Sequence, residues 1–316
     1  MSQSNPKTII SGVLLLNKPA GISSHSALAR AKHLFKSDCQ DSKKAGHTGT
    51  LDPMATGLLP VCFGEATKFS QYGLDADKGY TALIRLGEQT DTGDKEGQVI
   101  ATAAVPPFDQ NQLNTIANAM LGEQQQVPPM YSALKKDGKK LYEYARAGIE
   151  VERAARSITI HQLALSSVDN QTVALSVLCS KGTYVRVLGE EIAARLGTVG
   201  HLTQLHRTAT GGFDVAASLS LDELDKLTMP ERLQRLLPVD AMLGHLPILQ
   251  VNADQSQRLR LGQRLNVKDQ LATLPPFESA QSADTVMLVR LYADGGFIGL
   301  AEVAHSGRLQ PKKLLA

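Results

Sequence analysis

The chain has 316 residues, room for one large domain plus a small one, and its 42% hydrophobic content excludes a disordered chain. Lys and Arg total 33 against 31 Asp and Glu, so the net charge of +2 excludes any nucleic-acid affinity that rests on total charge; it would have to come from local clustering. Cys39, Cys62 and Cys179 are odd in number, far apart and free of any Cys-x-x-Cys, so neither a disulfide framework nor a zinc site is indicated, and a reducing cytoplasm fits.

The polar start, Met1 to Lys7, is not followed by a signal-like segment, and Val13–Leu16 is far too short to span a bilayer, so no membrane role is expected. Val13–Leu16 reads as a short buried strand, Asn17-Lys18-Pro19-Ala20-Gly21 as a turn, and Ser23 or Ser24 as the cap of a helix with apolar Ala27, Leu28, Ala31 and Leu34. By itself Lys18 reads as an ordinary solvated lysine, and Ser37–Ala45 as a polar connector.

Gly46 to Pro60 carries three glycines, two prolines, three threonines and one charged side chain, Asp52. Pro53 biases Asp52 toward extended backbone, so its carboxylate is presented from a stiff turn beside the apolar run Leu58–Phe63. Such an acid suits a nucleophile or general base, but by spacing alone an Asx-type turn cap is the commoner role.

Glu65–Tyr72 reads as a helix and Tyr80–Leu86 as a strand, alternating through Tyr80, Ala82, Ile84 and Leu86. Glu88–Gly97 lacks the register of a calcium loop and reads as a hairpin-like turn. Phe108–Leu121 follows as an amphipathic helix. Residues 124–156 mix Lys135, Lys136, Lys139, Lys140, Arg146, Arg153 and Arg156 with Tyr131, Tyr142 and Tyr144. That mixture fits phosphate contacts and base stacking, and equally a solvated helix whose charge is diluted by Asp137, Glu143, Glu150 and Glu152. Ser157–Ser166 and Thr172–Ser180 read as paired strands. Lys181-Gly182-Thr183 is expected to cap a helix over Tyr184–Leu196. Arg186 would oppose the dipole in its first turn, a better place if a carboxylate faces it. His201–Thr208 reads as a strand, and Leu219–Leu227 as a helix opened by Ser220 and ended near Pro230. From Leu246 onward short strands and turns fit a small β-barrel, while residues 267–285 read as an extended loop.

The run Gly46-His47-Thr48-Gly49-Thr50-Leu51-Asp52-Pro53-Met54-Ala55-Thr56-Gly57-Leu58-Leu59-Pro60 resembles the signature of the bacterial TruB family, the tRNA pseudouridine-55 synthases. Similar blocks are Asn17–Ser24, Lys78-Gly79-Tyr80, Lys181-Gly182-Thr183-Tyr184-Val185-Arg186 and Gly307–Lys312. The resemblance implies an α+β fold: a mixed, largely antiparallel sheet with flanking helices and a central cleft, plus a small C-terminal PUA-like β-barrel domain. It places a catalytic domain at 1–240, with an RNA-gripping insertion about 124–156, and the C-terminal domain at 246–316.

It further implies isomerisation of uridine 55 in the T loop of tRNA, without metal or cofactor. Asp52, Tyr80 and Arg186 become the catalytic residues, with Arg186 expected to hold Asp52 through a forked hydrogen bond. Tyr80 would pack on the uracil, Tyr184 and Leu205 would wall the pocket, and Lys18 would neighbour the substrate. His47 would fill the space of the flipped-out base. Whether Asp52 attacks the ribose carbon or takes a proton from a neighbouring carbon stays open. The partner is tRNA, gripped at its T arm and acceptor stem, with no DNA and a monomeric protein expected. Two rivals remain: a glycosyl hydrolase with a second acid, for which Asp41 and Glu65 are nearest in sequence, and a non-catalytic RNA-folding protein.

Overall fold

The computed structural model describes residues 7–277 and 285–315. Two apolar runs form its middle: β1 (Gly12–Lys18) is buried except at Asn17, and β2 (Thr56–Phe63) except at Thr56. Strands covered on both faces lose the alternation of apolar and polar residues, which is why these read as continuous runs. β3 (Lys78–Leu86) keeps it, burying Tyr80, Ala82, Ile84 and Leu86 while Thr81 faces outward.

Helix α1 (Ser24–Leu34) is capped by Ser23, whose hydroxyl accepts from Ser26 N–H, and buries Ala27, Leu28 and Ala31. α2 (Gln110–Ala119) opens with a reciprocal Asp109/Gln112 capping box and packs Leu113 and Ile116 into the same core. β4 (Gly122–Gln126) pairs with β5 (Arg156–Asp169), which forms a hairpin with β6 (Thr172–Cys179). α3 (Val185–Arg195) and β7 (Gly200–Thr210) complete the first sheet and its helices.

The large sheet runs Leu219–Ser220, β1, β2, β7, β3, β6, β5, β4. All neighbours are antiparallel except β2 with β7 and the short outer strand with β1. The parallel contact matters for the site, because it lays His206 and Arg207 directly beside Thr56 and Gly57. The fold class is therefore α+β, as the sequence implies.

The C-terminal sheet orders β8 (Ile248–Gln250), β10 (Val286–Ala293), β11 (Gly296–Ala304), β12 (Arg308–Leu314) and β9 (Leu265–Asn266), curled into a half-barrel. It has its own buried cluster, including Leu249, Leu259, Val289, Leu291 and Leu309. A further cluster of Phe69, Leu243 and Leu300, with Phe297 packed edge-on to Phe69, joins it to the first sheet. Asp240 ties the joint electrostatically, accepting from Arg290 Nη1 at 3.0 Å and Tyr292 Oη at 2.6 Å.

Some local expectations are corrected. Glu65–Tyr72 is a 3-10 turn, Gly64–Phe69, running into a short α-helix, Ser70–Asp75. Pro230 does not end a helix: Leu221–Lys226 stops earlier, and Pro230 lies in the first turn of Met229–Gln234, where its missing N–H costs nothing. The C-terminal part contains a helix, α4 (Ala253–Arg260), behind an Asn252/Gln255 capping box. Within 267–285, Lys268–Thr273 is a 3-10 turn, and residues 278–284 lie outside the described residues.

Candidate active site

The Gly46–Pro60 segment is anchored from below by the turn before α1. Ser24 Oγ accepts from Leu51 N–H at 2.7 Å and donates to Leu51 O at 2.8 Å. Gly21 N–H donates to Pro53 O at 2.8 Å. Lys18 is fully buried, and its ammonium donates to the carbonyls of Pro19, Ile22 and Pro53 at 2.8, 2.7 and 3.2 Å. Every backbone group flanking Asp52 thus has a fixed partner, which orients the side chain without a helix.

That side chain opens into a cavity of about 310 Å³, a size at the lower end for small-molecule sites. Asp52, Tyr80, Tyr184, Arg186 and Leu205 all line it, brought together from four separate segments. Asp52 is the one carboxylate on its wall among the described residues. Its Oδ2 lies 3.0 Å from Arg186 Nε, and its side chain is 35% exposed against 4% for Arg186. Rather than capping a local turn, the carboxylate faces the cavity with a guanidinium behind it.

The contact is single-pronged, not forked. Arg186 spends Nη1 on Thr92 O at 2.5 Å and Nη2 on Tyr131 O at 2.7 Å, leaving only Nε for Asp52. A second carboxylate, Asp94, is buried 3.6 Å from Nη1. Burial pushes the Asp52 carboxyl above the usual range; Arg186 pulls it back, Asp94 pushes it up again and Lys18 opposes, with a net upward shift.

Tyr80 is 8% exposed, and burial raises its phenol while the charge of Arg207 works against that rise. Tyr184 is the N-cap of α3, not its first residue. Its N–H donates at 2.8 Å to Oε1 of Gln126, a buried side chain on the edge strand β4, and the helix start carries no side-chain cap from Lys181-Gly182-Thr183. Thr183 instead closes its own turn by donating to Ser180 O at 3.0 Å.

Two expected substrate neighbours do not line the cavity itself. Lys18 sits under the loop as described, its pKa lowered to about 8, chiefly by burial. His47 sits on the loop's flank, on Ala45–His47, a three-residue strand paired with β2; its Nδ1 has no hydrogen-bond partner among the described residues. Burial lowers its pKa, with help from Arg207 and His25.

Sequence reasoning missed Asp94, Gln126, Lys78 and Arg207. Lys78 and Arg207 line the cavity, Lys78 donating to the carbonyls of Gly73, Leu74 and Ala76. For Lys78 a signal existed, since it begins the Lys78-Gly79-Tyr80 block.

The basic stretch folds as a small Lys135–Lys136/Lys139–Lys140 hairpin and the helix Leu141–Arg146. Lys139 covers the Tyr144 ring at 4.8 Å, and Lys140 and Arg146 flank Tyr142 at 5.3 and 5.4 Å. Two of the three tyrosines expected to stack on bases are thus already faced by cations of their own segment.

A family model described as TruB family pseudouridylate synthase (N terminal domain) matches residues 35–185, and one described as Pseudouridine synthase II TruB, C-terminal, matches 247–315. The chain is 49% identical to tRNA pseudouridine synthase B of Psychrobacter cryohalolentis, covering 99% of this chain and 96% of that one. It belongs to the TruB family. A second member, tRNA pseudouridine synthase B of Aromatoleum aromaticum, is 50% identical over 98% of this chain and 94% of its own. That of Neisseria meningitidis serogroup A is 48% identical, over 96% and 93%. Membership makes this TruB-family chain an enzyme of the pseudouridine synthase class. Among solved structures, a chain from the Cbf5-Nop10-Gar1 complex superposes with a TM-score of 0.70 at 22% identity, covering 97% of this chain and 85% of that one. It carries the same fold. No helix among the described residues is long and apolar enough to cross a membrane.

Proposed function

We propose that this enzyme converts uridine 55 in the T loop of tRNA to pseudouridine, acting in the cytoplasm as a monomer, with Asp52 starting the reaction. The observation carrying this reading is a lone cavity carboxylate backed by a buried guanidinium at 3.0 Å. Isomerisation breaks the bond between uracil N1 and the ribose, turns the ring and joins C5 to C1′. C5 loses a proton, N1 gains one, and nothing else enters or leaves.

Ionised Asp52 acts at the sugar; Arg186 holds it in that state and in one orientation. Tyr80, Tyr184 and Leu205 enclose the ring once it is flipped out, and His47, on the loop's flank, fills the gap left in the RNA. Flipping costs a few kcal/mol, which ring contacts of ~1–3 kcal/mol per base offset. The basic stretch about 124–156 and the C-terminal domain from about 246 grip the T arm and acceptor stem through phosphates and shape, with the catalytic domain ending near 240. The hydrolase alternative needs a second acid across the cavity; Glu65 pairs instead with Lys44 and Lys68.

Incubation with unmodified tRNA carrying tritium at uridine C5 tests the reading, because isomerisation releases the label to water. Asp52→Asn is expected to abolish release while tRNA affinity stays within about threefold, a shift below ~1 kcal/mol. Since the folded carboxyl is raised, its contribution to stability is lost as pH climbs from the ordinary carboxylate range through the raised value. At neutral pH the Asn variant should therefore melt no lower than wild type. Near wild-type release by this variant would remove Asp52 from the chemistry; free uracil among the products would favour the hydrolase.

A further inference from the structure

Arg207 is among the largest fully buried side chains, 1% exposed, yet it lines the cavity with Asp52 and Tyr80. Its Nε donates to Leu58 O at 2.6 Å and its Nη2 to Gly49 O at 3.1 Å, bracketing the Asp52 loop at both ends. Across the β7–β3 ladder its register partner is Tyr80. Among the described residues it makes no ion pair with any carboxylate.

The other cations of the cavity are committed. Arg186 serves Asp52, Asp94 and two carbonyls, and the Lys78 ammonium serves three carbonyls. Arg207 also shares a side-chain hydrogen bond with the Tyr80 phenol, but among the described residues its Nη1 meets no backbone or carboxylate acceptor. A Cβ at residue 49 would come to 3.5 Å from Nη1 and 3.2 Å from Lys78 Cε, so glycine there keeps a side chain from crowding that edge. A buried guanidinium without a counter-charge is expensive, and such an arrangement points to an anion that arrives with the substrate.

We infer that Arg207 is the electrostatic acceptor for the detached uracil: the negative charge that reaches the ring when its bond to the ribose breaks is stabilised by this guanidinium. The inference rests on the pseudouridine reading above. The electron pair of the C1′–N1 bond leaves with N1, whether Asp52 attacks C1′ or removes a neighbouring proton, so the free ring is an anion either way. It persists through the turn until C5 supplies a pair to C1′, which expels the Asp52 carboxylate if it had attacked there or takes back the neighbouring proton if Asp52 had removed it; C5 then gives up its proton, and N1 takes one. Arg186 stays with Asp52 throughout, which leaves Arg207 as the fixed positive field for the ring.

The test compares two RNA substrates, one with uridine and one with 5-fluorouridine at the target position, in single-turnover reactions with wild type, Arg207→Gln and Arg207→Lys. Fluorine withdraws electrons and stabilises the ring anion by itself, so it lessens the need for a protein cation. Arg207→Gln is expected to slow conversion of uridine by 10²–10³-fold, the usual cost of one donor aimed at developing negative charge. It should slow rearrangement of 5-fluorouridine by less than about tenfold, with RNA affinity unchanged.

Arg207→Lys, which keeps the charge but only part of the carbonyl bracket, should leave the ratio between the two substrates near the wild-type value. A purely structural arginine would slow both substrates by the same factor, and that result overturns the inference, as would uridine turnover by Arg207→Gln within tenfold of wild type. Should Arg207→Gln not fold, the substrate ratio of Arg207→Lys decides: a ratio that collapses like a lost charge overturns the inference, and a preserved one supports it. If wild type itself released no C5 tritium, the underlying pseudouridine reading would fail instead.

Discussion

Asp94→Asn is a perturbation whose effects on stability and on rate separate. The Asp94 carboxylate accepts from Thr92 Oγ1 at 2.9 Å and Glu96 N–H at 3.0 Å, both on Oδ1, while Oδ2 faces Arg186 Nη1 at 3.6 Å. An asparagine oxygen can keep the first two bonds, so only the ion pair is lost. Breaking a buried pair at one end costs about 3–5 kcal/mol when the remaining charge is stranded. Arg186 is not stranded here, because Asp52 and two carbonyls remain. The cost should therefore fall nearer 1–2 kcal/mol, in the range of a single charge-assisted hydrogen bond. Thermal unfolding should register a drop of a few degrees.

The kinetic effect has a definite sign. Burial, against the pull of Arg186, sets Asp52 above the ordinary carboxylate range, and the charge of Asp94 adds to the upward push. On the proposed reading Asp52 acts ionised, so the rate of tritium release should rise with pH through that raised value. Removing the Asp94 charge lowers it, and the acid limb of the pH–rate profile should move to lower pH even as the maximum rate falls. An acid limb that stays in place, or moves up, would refute the coupling of the two carboxylates through Arg186.

Lys18→Met should do the reverse. The lysine charge pulls Asp52 down, so the acid limb should move to higher pH, and the carbonyls of Pro19 and Ile22, which lose the ammonium while Pro53 O keeps Gly21 N–H, should cost about 1–3 kcal/mol in denaturant titration. Gly57→Ala should be more damaging than either. Gly57 sits at φ +102°, and a Cβ there would lie 2.3 Å from the Arg207 carbonyl oxygen, an atom held in the β2–β7 contact. A left-handed alanine costs ~1–2 kcal/mol and the backbone collision more, so the expected loss exceeds ~4 kcal/mol, read as poor soluble expression or a collapsed melting temperature.

The catalytic half was legible where chemistry and local pattern coincide. The doubly buried strands announced themselves as apolar runs, β3 by alternation, and Asp52, Tyr80 and Arg186 by blocks of unusual residue order. What stayed hidden depends on distant partners. Asp94 lies in a polar turn whose sequence signals only a hairpin, and its burial follows from Arg186, far along the chain. Gln126 looks like one of three consecutive glutamines, and only the approach of α3 gives it the Tyr184 N–H to accept. Lys18 belonged to a recognisable block, but its direction, under the loop and away from the cavity, follows from three carbonyls that converge in space. α4 buries only Leu259, so its hydrophobic pattern was faint, although Asn252 and Gln255 at capping-box spacing were there to be read.

The seam between β2 and β7 joins Gly57 to Arg207, and the cavity cannot close before both are present. A nascent chain that has passed residue 186 already carries Asp52, Tyr80 and Arg186, but nothing yet lies between β2 and β3 to hold them in place. Such distant pairing is slow to form and gains nothing until the connecting loop has been closed. Competence for chemistry should thus arrive late and all at once during synthesis, after β7 has emerged, so that a truncated or half-made chain is inert and never a weak catalyst.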